Sequence, residues 1–78
     1  MIGIICAMDK ELKSFENSLN NCYVHEIMGF KFFTGNINQK EVVLVKSGIG
    51  KVSAGIVVLL MIEHFKPELV INSGITSN

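Results

Sequence analysis

The sequence predicts an α/β fold with the element order β-α-β-β-β-α-β, and three observations carry that prediction. A short, unbroken apolar run, IGIICA at 2–7, and the segment ELVIN at 68–72 read as strands that need covering on both faces. Two stretches with helical spacing separate those runs from their neighbours along the chain. Between the helices lie three strand-like segments joined by turn residues, the pattern of an antiparallel meander.

Taken in order, the run Ile2 to Ala7 is the first strand. Leu12, Phe15 and Leu19 then recur at intervals of three and four, predicting a helix from near Asp9 to Asn20. Asp9 suits its N-cap or first turn, and Asn20-Asn21 suits its stop. Tyr23 to Met28 and Phe30 to Gly35 are two strands around Gly29, and Asn36 to Lys40 is a turn. Glu41 to Lys46 (EVVLVK) is a fourth strand, ending in Ser47-Gly48-Ile49-Gly50. A second helix runs from Lys51 to Phe65, Pro67 punctuates it, and Glu68 to Asn72 forms the last strand.

Composition narrows the function classes. Seven basic residues balance seven acidic ones. With no basic run and no aromatics interleaved among lysines, nucleic acid is not an expected partner. The start, MIGIICAM, lacks a basic n-region, and the longest apolar run, Ile56 to Ile62, is far too short to span a membrane. These features predict a cytoplasmic protein with no membrane partner. Cys6 and Cys22 are the two cysteines, and Cys6 sits inside an apolar run where a structural thiol is the plainest reading.

The apolar content is high for so short a chain: 49% of 78 residues, with a mean hydropathy of +0.43. The second helix carries Val52, Ile56, Val57, Val58, Leu59, Leu60, Met61 and Ile62, apolar around most of its circumference. Such a helix is buried in a larger body or against a partner. Two helices cannot cover both faces of strands like these. Residues 1–78 are therefore expected to form a single incomplete α/β domain, about the first third of a larger one.

Two segments carry candidate chemistry. Glu11 falls in the opening turn of the first helix, where the helix dipole favours the charged carboxylate by about 0.3–1 kcal/mol. Burial in a pocket would oppose that, and a carboxylate held between the two influences can act as a base toward water. Acids are also simply common in first turns, which is the plainer reading of Glu11. The second segment is Ser47-Gly48-Ile49-Gly50-Lys51. It fails as a Walker A loop, because Val45 stands at the first glycine position and Val52 replaces the Ser or Thr. It half-matches G-x-G-x-x-G, with Ser53 at the third glycine. His25 and His64 have no metal-ligand spacing, and no metal or organic cofactor is expected.

With AMDKE, SGIGK and KPELVINSG in view, the chain resembles the N-terminal part of the 5′-methylthioadenosine/S-adenosylhomocysteine nucleosidase family, which has the purine nucleoside phosphorylase-like fold. The resemblance runs through IGIICAMDKEL, FFTGNI, EVVLVKSGIGKVSAG and EHFKPELVINSG, in the family's order and at its spacing. It covers essentially the whole chain and about a third of a family member. It implies a mixed sheet of the phosphorylase-like type. The implied reaction is hydrolysis of the N-glycosidic bond of methylthioadenosine and adenosylhomocysteine through an oxocarbenium-like transition state, releasing adenine for methionine salvage.

By that resemblance Glu11 matches the carboxylate that activates the attacking water. Met8 and Ile49 match positions lining the ribose and methylthio side. Ile75, Thr76 and Ser77 stand where the family places a loop of small residues against purine and ribose. Ser77 replaces an expected glycine, so its bulk could obstruct the ligand. The family's general-acid aspartate and ribose-binding glutamate match no position within these 78 residues, so the chain alone is expected to be inactive. Family members are typically homodimers, and a subunit contact through helix 51–65 fits that habit. Two other readings stand beside this one: a non-catalytic remnant binding a partner through helix 51–65, and a small nucleotide-binding module using SGIGK.

Overall fold

The computed structural model describes residues 1–6, 9–47 and 51–73, the side chains of 51–54 and 73 excepted. The seven elements follow the predicted order: β1 (Ile2–Cys6), α1 (Asp9–Ser18), β2 (Asn20–Ile27), β3 (Phe30–Ile37), β4 (Lys40–Lys46), α2 (Lys51–Phe65) and β5 (Leu69–Ser73). The strands form one mixed sheet in the order β2-β3-β4-β1-β5. β1 lies parallel to both β4 and β5, while β2, β3 and β4 make the antiparallel meander.

Alternation along the two inner strands divides the core into two layers. Ile4 and Cys6 of β1, with Val42 and Leu44 of β4, meet Leu12 and the helix-end Leu19 on the α1 side. Ile5, Val43 and Val45 meet Val57, Leu60 and Met61 of α2 on the other. Successive side chains of a strand point to opposite faces. An unbroken apolar run is thus what a strand needs when helices lie on both sides of it.

Several boundaries differ from the sequence expectation by one to three residues. α1 ends at Ser18 instead of Asn20, its last turn closed by the Leu19 amide donating to the Glu16 carbonyl at 3.1 Å. β2 starts at once from Asn20, and a bulge between Asn20 and Tyr23 absorbs the irregular register, with Asn21 at φ 57°. The turn expected over 36–40 contracts to Asn38-Gln39, both at positive φ, because β3 runs on through Ile37 to pair with Lys40. Two-residue turns with positive φ at both positions match the twist of a hairpin. Met28-Gly29 makes the other one.

Gly35 permits a close approach. A Cβ there would lie 3.0 Å from the Asn20 carbonyl oxygen and 3.1 Å from the Leu19 Cβ, so the chain leaving α1 crosses β3 at backbone distance.

Coverage is uneven. On α2, Val57 and Met61 are fully buried, whereas Ile56, Leu59 and Ile62 are exposed on its outer side. Leu69 and Ile71 are exposed on β5, which is an edge strand. Among the described residues no helix is long and apolar enough to cross a membrane.

Candidate functional site

The parallel strands end together. Register pairs Cys6 of β1 with Lys46 of β4 on one side and with Ser73 of β5 on the other, bringing three C-terminal strand ends side by side. The Ser47 amide donates to the Cys6 carbonyl at 2.9 Å and carries the β1–β4 ladder one step further. Crevices outside the carboxyl ends of such strands are where open α/β sheets hold their ligands.

α1 enters at the same corner, starting three residues after Cys6 and packing on β1 and β4. Its first turn carries both Asp9 and Glu11. Cys6 and Lys46 lie on the α1 side of the sheet, since they continue the alternation of Ile4 with Cys6 and of Val42 with Leu44. The two acids therefore stand over the two strand ends. Asp9 Oδ1 accepts an ion-paired hydrogen bond from Lys46 Nζ at 2.9 Å. Glu11 has a different setting. Its residue is half-buried, its Oε1 is removed from solvent, and that oxygen has no hydrogen-bond partner among the described residues.

The Glu11 charge is felt next door. The Cys6 thiol is fully buried, and its pKa is pushed up to about 11, first by burial and then by the Glu11 carboxylate. Cys6 is thus a neutral thiol at physiological pH and no nucleophile.

An unshared, buried carboxylate oxygen ordinarily costs free energy, about 1–3 kcal/mol or more for a charged group. A site that retains one has an acceptor available to a water or a ligand hydroxyl. That acceptor is the chemistry this corner offers.

Of the catalytic and substrate-binding residues singled out in the sequence, Glu11 is the one the structure describes. Met8, Ile49, Ile75, Thr76 and Ser77 lie outside the described residues, as does the Lys51 side chain. His25 shares a hydrogen bond with Thr34 Oγ1 at 3.1 Å and stands edge-on to Phe65, across the sheet from α1. Asp9 and Lys46 are the pair that sequence reasoning passed over. Asp9 reads as a helix cap and Lys46 as a polar strand end until the β1–β4 register brings them together. A groove of about 410 Å³ opens on the flank of α1 against the β2–β3 turn; it shares Asp9 and Lys46 with this corner but not Glu11. Among the described residues no three His, Cys, Asp or Glu side chains gather as a metal site would require.

Comparison with known proteins bears on this corner. The family model for the phosphorylase superfamily matches residues 1–76. A 5′-methylthioadenosine/S-adenosylhomocysteine nucleosidase of Staphylococcus epidermidis is 51% identical over 74 residues, which is 95% of this chain and 32% of that protein. Among solved structures, the nucleosidase of Neisseria meningitidis in complex with methylthio-immucillin-A superposes with a TM-score of 0.90 at 32% identity, covering 94% of this chain and 32% of that one. That of Colwellia psychrerythraea in complex with adenine gives 0.88 at 35% identity, over 91% and 29%. The chain spans about a third of the length of the curated relatives it matches.

Proposed function

This chain belongs to the phosphorylase superfamily, and we propose that it supplies the water-activating segment of an N-glycosidase releasing adenine from 5′-methylthioadenosine and S-adenosylhomocysteine. The observation that carries the reading is Glu11: a carboxylate in a helix first turn, beside three parallel strand ends, with a buried oxygen that no described residue occupies. Identity of 51% to a nucleosidase of that name supports the substrate class.

In this mechanism Glu11 accepts a proton from the attacking water as the glycosidic bond lengthens. General-base help of this kind contributes about 10²–10⁴-fold. By the family resemblance, Met8 and Ile49 are assigned the ribose and methylthio side, and Ile75, Thr76 and Ser77 the purine and ribose. Protonation of the adenine leaving group and capture of the ribose hydroxyls fall to the larger body of which residues 1–78 form one incomplete α/β domain. The reaction needs no metal or organic cofactor. The setting is cytoplasmic, and the assembly is a homodimer whose contact includes Ile56, Leu59 and Ile62, apolar side chains left exposed along α2.

The test is a chimera in which this chain replaces the matched segment of the Staphylococcus epidermidis nucleosidase. Adenine release from methylthioadenosine is expected, with Glu11→Gln lowering kcat by about 10²–10⁴-fold. A folded chimera in which Glu11→Gln keeps more than about a tenth of the parent rate excludes Glu11 as the base.

A further inference from the structure

Side chains alternate along β5, and its two faces fare differently. Val70 packs into the core beneath α2, so Leu69 and Ile71 belong to the α1 side of the sheet. There they extend rows begun on β1: the register sets Leu69 beside Ile2 and Ile71 beside Ile4. α1 packs on β1 and β4, and Ile4 is 8% exposed, whereas Leu69 is 52% and Ile71 43% exposed. The α1 layer thus stops one strand short. Strands paired in parallel are normally covered by helices on both faces, so this bare row calls for another helix beside α1. Same-face positions on a strand recur about every 6.7 Å and a helical turn rises about 5.4 Å, so one amphipathic helix can meet both side chains. The row also borders the flank of α1 that carries Glu11. Each residue turns a helix by about 100°. With Leu12 directed at the core, Lys13 lies to one side of it, in the groove toward the β2–β3 turn, and Glu11 to the other. That other side faces β1 and β5.

We propose that the row of Ile2, Leu69 and Ile71 is a docking surface for a separate polypeptide, the C-terminal two-thirds of a nucleosidase chain of this family, which seats a helix on it. Length favours this occupant, because about two-thirds of the curated relatives lies outside the segment that this chain matches. The family match runs to residue 76, just past the end of β5 at Ser73. By the resemblance to the N-terminal part of the family, the remainder follows directly on the strand whose face is bare, and consecutive elements usually pack together. A helix seated there stands next to the Glu11 flank, where an acid for the leaving group and a group for the ribose have to arrive. That consequence rests on the nucleosidase reading, whereas the docking itself does not.

Co-expression tests it. The 78-residue chain is produced together with an affinity-tagged Staphylococcus epidermidis nucleosidase that lacks its matched segment, and the two are expected to purify as a one-to-one complex. Leu69→Lys with Ile71→Lys is expected to weaken that complex at least about 100-fold in a binding titration. Leu69→Thr with Ile71→Thr, which keeps a good strand former, should weaken it at least about 10-fold. Leu59→Lys with Ile62→Lys, on the α2 side of the sheet, leaves the affinity nearly unchanged. Failure of the parent chain to form the complex overturns the proposal. So does a complex that tolerates both β5 pairs, or one that the α2 pair disrupts. Association of the chain only with itself, through a contact that the β5 pairs break, gives the row to a second copy and overturns the proposal as well. A complex that forms as expected but releases no adenine from methylthioadenosine counts against the nucleosidase reading and supports the docking, and one that releases adenine supports both.

Discussion

Glu11 and Cys6 share one corner, and each constrains what the other can be. The carboxylate and complete burial both disfavour the thiolate, so Cys6 stays protonated well above neutrality, near pH 11. At pH 8 its thiolate fraction is then on the order of 10⁻³. Iodoacetamide applied to the folded chain is expected to label the exposed Cys22 and spare Cys6. Equal labelling of both by mass mapping would mean that the corner opens to solvent. The pH dependence has a definite sign. The folded-state value for Cys6 lies above the ordinary 9.0, so the neutral thiol stabilises the fold fully below pH 9. That contribution, on the order of 3 kcal/mol, is lost as pH rises from about 9 to about 11. Cys6→Ala should flatten this alkaline limb of a urea-denaturation profile.

At the scale of elements, the two hairpin turns and the α1–β3 crossing set the register that brings the site residues together. Gln39 holds φ 67° in a two-residue turn, a conformation that costs a non-glycine residue roughly 1 kcal/mol. Gln39→Gly is expected to stabilise the chain by about 0.5–1 kcal/mol in urea melts, with the β3–β4 register unchanged. Gly35→Ala acts in the opposite direction. Its methyl group would press on the Asn20 carbonyl and Leu19, and a loss of about 1–3 kcal/mol is expected from the forced shift of backbone. A Gly35→Ala chain as stable as the parent would show that the end of α1 can lift away from β3 at no cost.

For the whole molecule, the decisive feature is that apolar surface remains outside. Exposed single apolar residues are ordinary. Here Ile56, Leu59 and Ile62 form one stripe along α2, and a parallel edge strand carries Leu69 and Ile71 uncovered beside the core. Parallel strands are normally buried on both faces. A chain spanning about a third of its relatives fits that surplus. If the α2 stripe is a subunit contact, Leu59→Lys with Ile62→Lys should weaken dimerisation of the chimera at least about 10-fold in sedimentation runs, because each buried Leu or Ile is worth about 1.5–3 kcal/mol. The same pair of changes should leave the urea midpoint of the chain nearly unaltered, since both side chains already meet solvent. A dimer indifferent to both lysines would remove the stripe from the interface.

The sequence by itself determined the seven elements, the two-sided burial of β1, and the place of Glu11 in a helix first turn; β5, expected to be covered on both faces like β1, is instead an edge strand with Leu69 and Ile71 exposed. All three follow from local periodicity, which any short window of residues displays: side chains alternate every second residue in a strand and return every three to four in a helix. Its errors were local too, as where the α1 stop and the 36–40 turn were read too wide. Only the tertiary structure decided the order β2-β3-β4-β1-β5, and with it the meeting of Cys6 and Lys46, forty positions apart in the chain. No window of sequence contains that encounter, because strand neighbours are chosen by packing across the whole sheet. Which acid takes the lysine, and which has a buried oxygen without a partner among the described residues, is a property of distances in space; the order of residues in AMDKE leaves both open.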